Sequence, residues 1–327
     1  MPYLILYILL LAAVCLGAFM LLRRFERRKP AAYRRVKSAW EPYLYILPVF
    51  LLLLFMFGYP LINSFIMAFE SYKLTAPNAI RFNGLANFQK LFMDRDMGLI
   101  MRNSLIYVVA SVAGQFLLGM TLALALRKKF RGRGLYQAAV FLPWAFSAFV
   151  IGLIYRWSFN GEYGVVNDIL KHLGWAGEKL AWLGTPGLSL TVVILAMVWM
   201  GVPFFAIMNL AALQSIPADV YEAADMDGCG GIRRFFAITL PYIKPTLILT
   251  TLLRVIWILN FPDLIYGMTQ GGPANASHIL STYMMSYVMN SQDYGRASAL
   301  GVIIMAILAA YTMFYLAMTR FEESGDF

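Results

Sequence analysis

Residues 215–245 read SIPADVYEAADMDGCGGIRRFFAITLPYIKP, the longest polar interruption in the second half of an otherwise apolar chain. Joints between packed helices usually take about 2–8 residues, so this segment has room for structure of its own. Pro217 suits a first helical turn, where its missing N–H costs nothing. Asp219 and Glu222 sit near the positive end of the helix dipole. Gly228, with Gly230 and Gly231 close behind, supplies the stop. The spacing therefore predicts a helix of about 11 residues, roughly 16 Å long at about 1.5 Å per residue. Ala223 and Ala224 keep one face thin enough for another surface to approach. Val220 and Tyr221 offer apolar anchor area, and Glu222, Asp225 and Asp227 can meet basic groups on a partner.

The surroundings of this segment are those of a membrane protein. Of 327 residues, 61% are hydrophobic and 13% charged, against about 45–50% and 25% in soluble domains. So few charges cannot clothe a water-facing surface. Apolar stretches near the roughly 20 residues that cross a bilayer fall at 3–22, 44–69, 104–126, 136–157, 190–213, 246–268 and 297–319. The second contains Gly58-Tyr59-Pro60 and reads as one kinked helix. The net charge of +10 gathers at the ends of apolar runs, among them Arg23 to Lys37 and Arg127 to Arg133. Cationic clusters so placed mark the cytoplasmic side and argue against a nucleic-acid partner. They predict an outside N-terminus and an inside C-terminus, with 70–103, 158–189 and 269–296 outside and 127–135 and 214–245 inside. The cationic cluster follows the first apolar run instead of preceding it, so that run is expected to be an accessory lipid-facing helix and not a signal peptide.

Cys15 and Cys229 imply no disulfide framework, and His172 and His278 have no nearby companions for a metal. No Gly-Lys dipeptide occurs, so a phosphate-binding P-loop is excluded, and the chain is expected to bind neither ATP nor Mg itself.

The ordered run Glu222-Ala223-Ala224, Asp227-Gly228, then Ile238, Leu240 and Pro241 resembles the EAA loop of importer-type ABC permeases. The resemblance implies a coupling helix that docks in a cleft of an ATPase subunit, and assigns coupling to Val220, Tyr221, Glu222, Ala223, Ala224, Asp227, Gly228 and Pro241. Cys229 replaces the alanine usual after the glycine. Flanking stretches narrow the likeness to the carbohydrate-uptake branch, the maltose and glycerol-3-phosphate permease type. They are Phe82 to Phe88, Leu142-Pro143-Trp144, Arg156 to Asn160, Gly164 to Asn167, Thr269 to Pro273, Tyr294-Gly295 and Ala297 to Ala299.

The implied fold is an all-α polytopic membrane protein: a six-helix, MetI-like ABC importer permease core over 44–320. An extra N-terminal transmembrane helix and basic cytoplasmic linker (1–43) would precede it, and a short cytoplasmic tail (321–327) would follow. The implied function is import of a sugar, oligosaccharide or polyol across a prokaryotic cytoplasmic membrane. The implied partners are a second, homologous permease, two cytoplasmic ATPases holding ATP and Mg, and an external solute-binding protein.

A substrate pathway is sought where polar groups enter an apolar run. Asn260, Asp263 and Gly267 at i, i+3 and i+7 would share a helical face, with Tyr266 beside them and Trp257 as a flat platform for a sugar ring. A structural role at the subunit interface remains the alternative for these residues. Arg254, opposite that face, is expected to be structural, and Trp144, Trp157, Trp175 and Trp182 to form an interfacial belt. An ion-coupled secondary transporter would show repeated halves and a membrane-embedded enzyme a cluster of acids, His or Cys at one face. The sequence has neither.

Overall fold

The computed structural model describes residue 43 and residues 45–128, 130–175 and 178–319. The run at 3–22, the basic linker after it, Cys15 and the tail 321–327 lie outside the described residues. The described residues fall into two compact units divided between Met67 and Ala68.

All regular elements among them are helical. Five helices have the length and apolar character to cross a membrane: α1 (Tyr45–Ala68), α3 (Met97–Arg127), α7 (Leu188–Gln214), α9 (Gly231–Leu259) and α12 (Tyr294–Thr319). A sixth candidate passes the same test only as a bent pair: Arg133–Ala145, which begins with α4 (Arg133–Phe141), meets α5 (Ala148–Ser158) at 94°. Short helices lie between the spans: α2 (Ala86–Phe92), α6 (Val165–His172), α8 (Ala218–Met226), α10 (Asp263–Met268) and α11 (Leu280–Met289).

Three of the predicted spans need correction. The 136–157 run is bent, because Pro143 closes a short 3-10 turn and Ser147 opens a fresh helix, its side chain accepting from the Val150 amide. The 104–126 run belongs to a longer helix beginning at Met97. The largest error concerns 246–268. Its helix starts at Gly231 and ends at Leu259, and α10 begins only at Asp263. Pro262 supplies no amide and disfavours helical backbone at Phe261, while Asn260 turns its side chain back to the Ile256 carbonyl at 3.1 Å. The early start of α9 also shortens the polar joint, and a π-helical turn at Phe235–Thr239 carries that helix into Pro241.

Within the second unit the core is built on α3 against α7. Gly119 on α3 is the close-approach point, since a Cβ there would lie 2.5 Å from Phe205 Cβ and 3.0 Å from the Ala206 nitrogen. Small residues of this kind let helices in a bilayer approach backbone to backbone. On the outside of the bundle, Leu105, Leu117, Met313 and Phe314 are each more than 60% exposed, a pattern that calls for lipid or a partner subunit against it.

At the end of the bundle away from α8, loops are pinned by half-buried polar contacts. Asp94 accepts from Tyr283 and Tyr287 hydroxyls at 2.6 and 2.9 Å. Burial alone would raise the Asp94 carboxyl, but the hydrogen bonds from Tyr283, the Asp96 amide and Tyr287 outweigh it and hold the group below its ordinary value. Asn275 donates to Asp96 at 2.7 Å, and Asn103 to the Ala276 carbonyl at 3.0 Å. Trp182 donates to Asn167 at 2.8 Å, which ties it into a loop more firmly than a free belt residue.

Candidate functional site

The helix predicted within 217–228 is α8, nine residues from Ala218 to Met226. Pro217 precedes it and Asp219 lies in its first turn. Its end is a Schellman arrangement: the Gly228 amide donates to Asp225 O at 3.1 Å and the Cys229 amide to Ala224 O at 2.9 Å. Gly228 takes φ +69°, the left-handed region in which a Cβ is unfavourable.

α8 has two faces. Val220, Tyr221 and Ala224 turn inward. Val220 and Tyr221 pack on a cluster formed by Met120, Ala123, Leu213, Ile216 and Ile243, and Ala224 is buried. Of the residues expected to meet a partner, Ala224 is thus buried against its own bundle, while Val220 and Tyr221 anchor α8 and stay half-exposed. Outward stand Glu222, Ala223, Asp227 and Gly228, all exposed, with Met226 89% exposed. The sequence reading missed Met226, although the spacing 219, 222, 223, 226 places it on the acidic face.

Cross-braces fix the height of α8. The Tyr221 hydroxyl lies 3.1 Å from Thr239 Oγ1, and the Arg127 guanidinium sits 4.2 Å from the Tyr221 ring centre. Asp225 pairs with Arg234 at the start of α9. Side chains from the ends of α3 and α9 thus hold the short helix. Pro241 is exposed within α9, two residues beyond the π turn, and its missing N–H accounts for the irregular ladder there.

A second feature is an open-sided cavity at which Trp144, Trp257 and Asn260 are exposed. Trp144, Met197, Met200, Arg254, Trp257 and Asn260 line this cavity, of about 410 Å³. The structure brings Trp257 and Asn260 together there, but Asp263 and Tyr266 are not among the lining residues. The break in the helix separates Asn260 from Asp263 and Gly267, with which it was expected to share a face. Gly267 is buried, with Phe149 O 2.9 Å from where a Cβ would stand.

Arg254 is 7% exposed. Its Nε donates to Gln115 Oε1 at 2.5 Å, and Gln115 Nε2 donates to the Met197 carbonyl at 2.8 Å. No ion pair among the described residues includes Arg254. Gly201 on α7 leaves the space for this pair, because a Cβ there would overlap both side chains. The guanidinium joins α3, α7 and α9, a structural part, but it does so at the wall of the cavity that Trp257 and Asn260 also line, and not opposite them as expected. Gln115 was not singled out in the sequence, since one amide in an apolar helix carries no sign of its partner. Trp144 also lies at this cavity and donates to the Met200 carbonyl at 3.2 Å, away from the belt role expected.

Comparison with known proteins agrees with this architecture. Residues 115–322 match the family model described as "Binding-protein-dependent transport system inner membrane component". The chain is 35% identical over 280 residues to the sulfoquinovosyl glycerol transport system permease protein SmoG of Agrobacterium fabrum, covering 86% of this chain and 90% of the relative. It is 34% identical to the trehalose/maltose transport system permease protein MalF of Thermococcus litoralis, over 89% and 96% of the two chains. In fold it resembles a chain of a bacterial ABC transporter involved in import of the acidic polysaccharide alginate, with TM-score 0.75, 24% identity, and 88% and 98% coverage.

Proposed function

The chain belongs to the family of binding-protein-dependent transport system inner membrane components, and from that premise we propose that it is the permease subunit of an ATP-driven importer for a sugar, oligosaccharide or polyol. The curated relatives named above are permeases for such solutes, and a second solved alginate transporter of the same fold is in complex with a pentasaccharide-bound periplasmic protein. The importer contains a homologous second permease and two ATPases that bind ATP and Mg, and it receives its solute from an external binding protein. The chain crosses the cytoplasmic membrane with its N-terminus outside and its C-terminus inside. The basic residues Arg127, Lys128, Arg131 and Arg133 follow α3 in sequence, and Arg127 lies over Tyr221 of α8; the cluster favours that orientation.

One observation carries the mechanism: α8 is bolted to the bundle by one face and shows Glu222, Ala223, Met226 and Asp227 on the other. A rod so mounted can take a push from an ATPase and pass it to α3 and α9 through Arg127, Tyr221 and Arg234. Movement of the ATPases re-angles the bundle, so the solute cavity opens alternately to the two sides. Each state requires contacts that the other lacks, and the outward face of α8 supplies those that change with nucleotide. At the cavity, Trp257 offers a flat apolar face to a sugar ring and Asn260 an amide to its hydroxyls.

The test is site-directed crosslinking in the assembled importer. A cysteine at Asp227 or Ala223 should crosslink to the ATPase, and Glu222→Ala should insert normally yet lose ATP-coupled uptake. Crosslinks confined to the external binding protein, or wild-type uptake by Glu222→Ala, would remove the coupling role.

A further inference from the structure

The end of α3 and the start of α9 enclose a pocket of about 630 Å³ whose walls include Leu124, Arg127, Lys128, Ile232, Arg234 and Phe236. We propose that it is a binding site for a phosphate-bearing anion, supplied by the headgroup of an anionic phospholipid.

Three cations face one small space. Arg234 shares its charge with Asp225, whereas no ion pair among the described residues includes Arg127 or Lys128. Arg127 is held over the Tyr221 ring at 4.2 Å and Arg234 lies 5.8 Å from the same ring, so both guanidinium groups stand about one ring and line one pocket despite their mutual repulsion. An anion between them relieves that repulsion, and a phosphate accepts hydrogen bonds from both guanidinium forks and from the lysine at once.

The remaining walls choose the source. Ile232 is 81% and Phe236 63% exposed, and both belong to the first turns of a membrane-crossing helix. A soluble phosphate has no use for exposed apolar side chains. A phospholipid lays its acyl chains along them while its headgroup meets the cations. The pocket lies where α3 ends and α9 begins, and both helices are long and apolar enough to cross a membrane; headgroups reside near the ends of such helices, and basic pockets between membrane helices are suited to them.

The bound headgroup also touches the machinery. Tyr221 lies between the pocket and the core of α8, so an anion that fixes Arg127 and Arg234 stiffens the mount of the short helix. Anionic lipid then raises the fraction of ATPase strokes that reach the bundle. That link to turnover rests on the coupling role proposed above, but occupancy of the pocket does not.

The experiment uses the complete importer, purified and exposed to phosphatidylglycerol or phosphatidylcholine, with retained lipid read by native mass spectrometry. Wild type should retain phosphatidylglycerol selectively. The double variant Arg127→Gln, Lys128→Gln should lose roughly tenfold or more of that retention, the scale for two basic residues against an anionic headgroup. A control double variant at the far end of the bundle, Arg81→Gln with Lys90→Gln, should match wild type. In phosphatidylcholine vesicles, inorganic phosphate should not reproduce the gain in solute uptake per ATP expected from phosphatidylglycerol; if it did and also displaced the lipid, the lipid source would be overturned in favour of a soluble anion. Equal lipid retention by wild type and the double variant overturns the proposal. So does loss of the ATPase subunits from the double variant without change in lipid, which would assign the pocket to a protein contact. Because lipid retention is measured without turnover, a failure of the coupling role leaves this result readable.

Discussion

Replacing Gly228 isolates the contribution of the turn that ends α8. The residue adopts φ +69° and a Cβ added there meets nothing within 4 Å, so a substitution incurs backbone strain and no steric clash. An L-residue in the left-handed region costs about 1–2 kcal/mol, equivalent to a factor of about 5–30 in a local equilibrium. Two hydrogen bonds depend on that conformation, from the Gly228 and Cys229 amides at 3.1 and 2.9 Å. Gly228→Ala should therefore speed hydrogen exchange in the last turn of α8 by about 5–30-fold and lower ATP-coupled uptake, leaving exchange in α3 and α7 unchanged. Gly228→Asn should be milder, because asparagine tolerates this region, and Gly228→Val more severe. Exchange mass spectrometry on the assembled importer, paired with uptake into vesicles, gives both readouts. Wild-type exchange and uptake in Gly228→Val would refute the reasoning. So would an asparagine variant as damaged as the valine one, because the effect would then not follow backbone preference.

Three further outcomes are expected. Gln115→Leu strips Arg254 of its buried acceptor and should destabilise the chain by about 3 kcal/mol, seen as an earlier thermal transition of the purified importer, whereas Arg254→Leu in the same background should recover part of the loss. Trp257→Ala and Asn260→Ala should raise the solute concentration needed for half-maximal uptake, while Asp263→Asn, outside the cavity, should not. His278 is held neutral by burial, its pKa lowered from 6.5 to about 4 although Asp96 pulls it upward. The unfolded state then takes a proton first as pH falls below 6.5, so stability is full above that value and is lost as pH drops toward 4. His278→Asn should flatten the dependence of melting temperature on pH over that window.

The membrane class and the presence of the short helix were legible because they rest on local chemistry. Apolar run length identifies spans without any tertiary contact, and Pro217 and Gly228 bracket α8 in sequence as they do in space. The break at Asn260 to Pro262 was visible only as one proline in an apolar run, which a membrane helix often tolerates. Pro262, which has no amide to give and disfavours helical backbone at Phe261, ends the helix there, and tertiary packing then seats the 263–268 segment against α5, where a Cβ on Gly152 would stand 2.5 Å from the Leu264 carbonyl.

Sequence alone determined that this chain lives in lipid, that it carries a capped polar helix between two spans, and which acids that helix bears. Those properties follow from the order of residues along a few turns. Tertiary structure decided which side of the helix is free, turning Val220 and Tyr221 inward and Met226 outward. It also paired Gln115 with Arg254 and placed Arg127 beside Arg234. Each of these depends on residues far apart in the chain, and one sequence holds no local trace of which distant helix will cover a given face.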